Sequence, residues 1–309
     1  MKKALVFLAC MALLLAFPGC TTTKDSSVSS SDTAASSTGI PSSADPFAAL
    51  WAKIDGSTAT IPLSEAIAKH FLGITDDQAA QLITHNTTDV AYYNLMNKQA
   101  DLIFVTYPSE AELASAQQNG VTLDIIPVVK DALVFLVNAQ NPVNSLTQQQ
   151  LINIYTGNVT NWSAVGGANA AIQPFQRPAN SGSQTLFLKL LMKDTAPMIP
   201  PAALVQAEMG GLIDAVANYS NASSALGYSV FYYANDMYAQ PAVKLLGVDG
   251  VMPTKATIED GSYPLPTYYY AVLRQDTPAD HPARQLLAWL LAQEGQQVAD
   301  AAGYVPIGE

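Results

Sequence analysis

Two short runs of small hydroxyl residues each stand where a helical pattern begins. The first is Gly56-Ser57-Thr58-Ala59-Thr60-Ile61-Pro62, and the second is Arg177-Pro178-Ala179-Asn180-Ser181-Gly182-Ser183-Gln184-Thr185. A helix start carries unpaired backbone N–H groups and the positive end of the helix dipole, so it can hold an anion without a metal. Hydroxyls add further donors, and Gly182 allows close backbone approach. Arg177 presents a fixed fork of N–H donors that matches two oxygens at once, which lysine cannot copy. Two such starts far apart in sequence, one with an arginine, point to an oxyanion held between two parts of the fold. Each residue also has a plainer reading: Ser and Thr favour helix caps in any protein, and Arg177 could serve a surface ion pair.

Other chemistry is poorly supported. The three histidines, His70, His85 and His281, are scattered, and there is no cysteine cluster or Asp-rich loop, so neither a metal nor a cofactor is expected. A nucleophilic Ser181 would need a base and an oxyanion hole, and no Gly-x-Ser-x-Gly elbow is present, so the chain does not read as an enzyme. The triplet Tyr268-Tyr269-Tyr270 reads as packing within a strand rather than a sugar platform.

The N-terminus sets the address. Lys2 and Lys3 precede an apolar run from Ala4 to Phe17, too short to span a bilayer and laid out as a secretory signal over residues 1–19. Cys20 follows Gly19 as in a bacterial lipobox, although Phe17-Pro18 depart from the usual residues there. Lipidation of Cys20, as by palmitate, would anchor the mature chain to the membrane on the extracytoplasmic side of the cell envelope. Cleavage there removes Cys10 and leaves one cysteine, so no internal disulfide is available and the core must stabilise the fold. Residues 20–47, rich in Ser and Thr, read as a flexible tether. The net charge of −11, with 13% charged residues, argues against nucleic acid as a partner. It does not exclude an anion ligand, because a buried site is governed by local dipoles and one or two charges.

Strands and helices then alternate. Leu102–Val105 and Ala132–Val137 are continuously apolar, as buried strands are. Further strands are expected at Ile54–Gly56, Ile172–Gln176, Tyr228–Phe231, Val243–Val248 and Tyr268–Leu273. Helices are expected at Pro62–Phe71, Asp89–Asn97 capped by Thr88, Glu110–Gln118, from Thr147 through Tyr155, Ser181–Met192, Gly211–Asn218 and Pro282–Glu294. This alternation implies an α/β fold with helices covering a mixed sheet, and ligands collect at the carboxyl ends of such strands.

Several segments, taken in order, resemble one family. They are Asp55 to Leu63, Asp131-Ala132-Leu133-Val134-Phe135, Ile154-Tyr155-Thr156-Gly157 with Asn161-Trp162, Gln176 to Thr185, and Gly303-Tyr304-Val305-Pro306. Together they resemble the phosphate-binding proteins of bacterial ABC importers, of the type II periplasmic-binding fold. The resemblance implies two α/β lobes, each a mixed sheet flanked by helices, joined by two hinge crossings. Lobe one would span 48–133 and 240–309, and lobe two 134–239. It also implies a monomer that closes over phosphate and hands it to ABC permease subunits in the membrane. The ligand-binding set it implies is Thr58, Ala59, Thr60 and Ile61 from the first run, and Asn86, Thr87 and Thr88 from the lead into the next helix. Thr106 follows the Leu102–Val105 strand, and Arg177, Ser181, Gly182 and Ser183 come from the second run. Thr106 is a departure. Members of this family carry an aspartate there, acceptor-only, which takes the proton of hydrogen phosphate and repels sulfate; a hydroxyl can donate or accept and imposes that rule less strongly. Ala179 likewise stands where an acidic partner of the arginine is common. Sulfate, an oxometallate, or a tethered sensor or scaffold without transport therefore stay open as alternatives.

Overall fold

The computed structural model describes residues 46–220 and 222–308. The signal sequence, Cys20 and most of the tether lie outside the described residues. Helix α1 (Pro46–Trp51) leads into strand β1 (Ile54–Gly56), a 3-10 turn (Thr58–Thr60) and helix α2 (Ile61–Leu72). Helices α3 (Asp76–Leu82) and α4 (Thr88–Met96) precede β2 (Leu102–Val105), α5 (Glu110–Gln118) and the long strand β3 (Leu123–Asn138). Then come β4 (Ser145–Leu146), α6 (Gln148–Tyr155), β5 (Gln173–Pro174) and α7 (Gly182–Leu186), which runs into a π-helical turn (Phe187–Met192). Helix α8 (Met209–Asn218), β6 (Ala225–Val230), β7 (Val243–Val248), α9 (Lys255–Glu259) and β8 (Pro266–Arg274) follow. The described chain closes with α10 (Pro282–Leu291), α11 (Gln293–Ala301) and β9 (Val305–Pro306).

Local chemistry accounts for many of these boundaries. Thr75, Ser109 and Thr147 cap α3, α5 and α6 in reciprocal capping boxes with Gln78, Glu112 and Gln150. Gly73 ends α2 at φ 63°, in the left-handed region that glycine enters without strain. Strand β2 is buried along its whole length, as its unbroken apolar run requires.

Other expectations are corrected. The Pro282–Glu294 helix is two helices, broken at Ala292 in extended geometry (φ −78°, ψ 165°), with Gly295 seated against the main chain of Leu290. Helix α4 begins at Thr88, so Thr87 rather than Thr88 stands at its cap. The strand expected at Ala132–Val137 extends back to Leu123. Pro127 breaks the pattern there, and the pairing with β8 shifts register between Pro127 and Val129.

Strand β3 serves two sheets. From Leu123 to Ala132 it pairs antiparallel with β8, which pairs antiparallel with β2, which pairs parallel with β1. From Leu133 onward it pairs with β6, and from Phe135 also with β7, both antiparallel. Strand β5 adds parallel to β6. Val243–Val248, expected with residues 240–309 in lobe one, thus pairs with the second half of β3.

Asp131 lies at this changeover, and its carboxylate is buried. One oxygen accepts the N–H groups of Ala132 (2.7 Å) and Tyr232 (3.2 Å), and the Tyr269 hydroxyl faces the same carboxyl. Burial outweighs these donors and pushes its pKa up to about 7. The folded chain therefore holds this proton where the unfolded chain, with an ordinary carboxyl near 4, releases it. Stability from this group is complete below about pH 4 and is lost as pH rises to about 7, at a limiting slope of about 1.4 kcal/mol per pH unit. Asp131→Asn, which keeps the shape and cannot ionise, is expected to lack this fall. Denaturant midpoints at pH 4 to 8 for both proteins test it, and parallel pH profiles would refute the assignment.

Candidate anion-binding site

The first run turns at the carboxyl end of β1. A side chain at Gly56 would come within 2.5 Å of the Phe104 carbonyl and 2.6 Å of His85 Nδ1, so only glycine lets the loop lie flat on the end of β2. Ser57 N–H donates to the Phe104 carbonyl at 2.9 Å. The Thr60 hydroxyl is fully buried and lies 2.8 Å from that carbonyl and 2.9 Å from the Ser57 carbonyl, so its single proton is held between the loop and the end of β2. Ala59 is buried, and Thr58 and Ile61 are half-buried beside it. The Tyr304 hydroxyl braces the turn from below, donating to the Ala59 carbonyl at 2.7 Å.

Asp55 ties this loop to the lead into α4. Its carboxylate accepts Gly56 N–H (2.7 Å), Asn86 N–H (2.9 Å), the Asn86 amide (2.8 Å) and the Asn94 amide (2.7 Å). Both the main-chain and side-chain donors of Asn86 are thereby turned to Asp55. Thr87 is exposed, and its hydroxyl donates to Asp89. Of the three candidates in this segment, Thr88 is the buried one and the one brought to the second run.

The second run follows β5. Arg177 N–H is shared between the Tyr228 hydroxyl (3.0 Å) and the Gln184 side-chain carbonyl (3.2 Å), and Tyr228 itself donates to Gln184. One guanidinium nitrogen donates to the Ala207 carbonyl at 2.9 Å, and no carboxylate lies in ion-pair range among the described residues. Burial lowers the Arg177 pKa from its ordinary value, partly offset by attraction to Tyr228 and Glu208. Ser181 caps α7 by accepting Gln184 N–H at 3.3 Å.

The two runs meet. A methyl built on Gly182 would stand 2.4 Å from Thr106 Oγ1 and 2.7 Å from Thr88 Oγ1, so α7 starts directly against the ends of β2 and α4. Beside this contact the Asn180 amide donates to Asp89 at 2.6 Å. Asp89 thus bridges the two faces. Ser57 Oγ, Thr106 Oγ1, Ser183 Oγ, and Nε and Nη1 of Arg177 are buried without a hydrogen-bond partner among the described residues. All five atoms can donate. A buried donor left unpaired costs about 1–3 kcal/mol, and more when charged, so this set suits an acceptor-rich oxyanion. Other unpaired buried atoms include Ser64 Oγ on α2, Ser229 Oγ on β6 and His85 Nε2 behind the first loop. No group of three or more potential metal ligands occurs among the described residues.

A family model described as a PBP superfamily domain matches residues 27–294. The chain belongs to the PBP superfamily. It is similar to the phosphate-binding protein PstS of Bacillus subtilis, 23% identical over 258 residues that cover 82% of this chain and 80% of that protein. Among solved structures it is similar to a putative phosphate ABC transporter substrate-binding protein with bound phosphate from Clostridium perfringens. That match has a TM-score of 0.65 at 23% identity, covering 82% of this chain and 98% of the other. An ABC-type phosphate transport receptor from Vibrio cholerae matches with a TM-score of 0.60 at 25% identity, covering 82% and 98%.

In this PBP superfamily member several site residues escape a reading by motif. Ser57 sits inside the first run yet carries no pattern that separates it from Thr58. Asp55 and Gln184 organise the two faces through contacts distant in sequence. His85 backs the first loop, with Nδ1 3.1 Å from the Ser57 carbonyl and 3.2 Å from Thr60 Oγ1. Burial holds its pKa below the usual imidazole value, so the ring is neutral at pH 7. Its contact with Ser57 assigns the proton to Nδ1. Asp101, at the opposite end of β2, is paired with Arg274 at 3.0 Å, away from both runs. Gly182→Ala is expected to hold the two faces apart and weaken oxyanion binding about tenfold or more, with the far-ultraviolet circular dichroism unchanged. Wild-type affinity by calorimetry would show that this contact is not part of the site.

Proposed function

We propose that this protein is an extracytoplasmic solute-binding lipoprotein that captures inorganic phosphate between two lobes and delivers it to an ABC permease. The observation that carries the reading is the donor set: five buried, unpaired donor atoms from the two runs and from Thr106 at the end of β2, with two of them on Arg177. An anion placed there pairs groups that the protein itself leaves unpaired, and it supplies the charge that Arg177 lacks. The similarity to phosphate-binding proteins supports the same ligand. Binding rather than turnover is the role, since nothing in the set acts as a base toward Ser181.

In this proposal lobe one carries Thr58, Ala59, Thr60 and Ile61, together with Thr88 and Thr106, and lobe two carries Arg177, Ser181, Gly182 and Ser183. The first crossing is β3 at Asp131–Leu133, and the return crossing lies after Val248. The chain acts as a monomer, anchored by a lipid on Cys20. Thr106 in place of an acidic acceptor favours a second reading, a receptor for sulfate or a similar tetrahedral oxyanion. A hydroxyl can either accept the proton of hydrogen phosphate or donate to sulfate.

Calorimetric titration of the purified protein with phosphate and with sulfate, at pH 6 and pH 8, separates these readings. Phosphate is expected to bind and sulfate to bind more weakly. Arg177→Ala is expected to weaken phosphate binding by about 30-fold or more, since it removes a desolvated charge partner. Sulfate binding as tight as phosphate would transfer the assignment to the second reading, and silence with both would end the oxyanion proposal. For the anchor, Cys20→Ser is expected to move the protein from the membrane fraction to the soluble one. Continued membrane retention of that variant would rule out lipidation at this residue.

A further inference from the structure

Tyr107 and Lys189 meet across the two faces at the rim of the site. Tyr107 follows Thr106 directly. Its ring is fixed from the first sheet, edge-to-face with Tyr270 of β8 at 5.5 Å and 73°. The main chain before it is held by the Tyr92 hydroxyl, which donates to the Thr106 carbonyl at 3.0 Å. Lys189 belongs to the π-helical turn that continues α7, a geometry that is rare and concentrated at functional sites. Its ammonium sits over the Tyr107 ring, 3.3 Å from the centroid. That is cation–π geometry between an exposed lysine and a half-buried tyrosine. A groove of about 540 Å³, lined by Pro108, Glu110, Ala179, Thr185 and Lys189 among others, opens beside the pair, so the lysine has room to leave the ring.

Resting on the phosphate reading above, we infer that Lys189 and Tyr107 form a clasp that sets how fast the bound anion is released. The pair is chained to the anion donors on both sides. Tyr107 adjoins Thr106, and Lys189 lies on the helical segment whose start carries Ser181, Gly182 and Ser183. Parting Gly182 from Thr106 and Thr88 therefore requires the ammonium to leave the ring. The clasp touches no proposed donor atom, so it acts on the closed arrangement and not on the choice of anion. Its loss speeds opening, while association, governed by diffusion into the open form, is little changed.

The test is stopped-flow release of inorganic phosphate from the full-length wild type, Lys189→Met, Tyr107→Leu and the double variant. Each single variant is expected to release phosphate about three- to tenfold faster with an unchanged association rate. The double variant is expected to be no faster than the faster single one, because both remove one contact. Lys189→Arg, which keeps the cation, is expected to retain slow release. Unchanged release in either single variant, or multiplied effects in the double, overturns the clasp. If the wild type binds no phosphate, the phosphate reading fails and the clasp is decided separately. Spin labels on Tyr93→Cys and Ile199→Cys, in a chain carrying Cys10→Ser and Cys20→Ser, report the distance between the faces. A longer or broader distance distribution in Lys189→Met upholds the clasp, and a distribution identical to that of the parent chain overturns it.

Discussion

The arrangement depends on one strand shared by two sheets. Strand β3 runs for 16 residues, pairing with β8 over its first part and with β6 and β7 over its second. A strand satisfies its backbone only where it has neighbours, so the change of partners at Ala132 and Leu133 fixes where one sheet ends and the other begins. Everything that converges on the site hangs from the two sides of that changeover. The first run, Thr88 and Thr106 stand on elements of the β1–β2–β8 side, and Arg177 and the α7 start stand on elements of the β5–β6 side. Burial of Asp131 at the junction adds a cost that its donor groups only partly offset, which places a titrating group where the strand changes partners.

The electrostatics of the site are local. The chain carries a net charge of −11, yet the buried unpaired donors proposed for the anion are three hydroxyls and one guanidinium. Over distances longer than about 8–10 Å, exposed charges are screened by salt, whereas donors in a dry site act at full strength. The acidic groups close by are already occupied. Asp55 accepts four bonds from Gly56, Asn86 and Asn94, and Asp89 takes Thr87 and Asn180. Their oxygens hold the loops in place and so order the donors.

Much of this was legible in the residues. The continuous apolar runs marked β2 and the second half of β3, and Thr147 marked a helix start because a cap is a local feature. The two hydroxyl runs were visible as candidate anion sites because small residues, a helix start and an arginine are local features. Less legible were the elements whose partners lie far along the chain. Leu123–Lys130 did not read as strand, since Pro127 interrupts it and its mate, Tyr268–Arg274, is more than a hundred residues away. That Asn86 is turned to Asp55 and Thr88 to Gly182 follows from contacts that no local pattern connects to them.

By itself the sequence determined the α/β alternation, the positions of most helix starts, and the two hydroxyl runs with an arginine beside the second. These are properties of short stretches, set by side-chain size, hydrogen-bonding type and periodicity. Only the tertiary structure decided that Gly182 stands against Thr106 and Thr88, that the Thr60 hydroxyl is tied to the Phe104 and Ser57 carbonyls, that Ser57 and Ser183 are buried unpaired, and that Lys189 lies on Tyr107. Those facts depend on how two sheets joined at β3 bring separate segments together. Contact across such a junction is set by the packing of the whole chain, which no window of sequence contains.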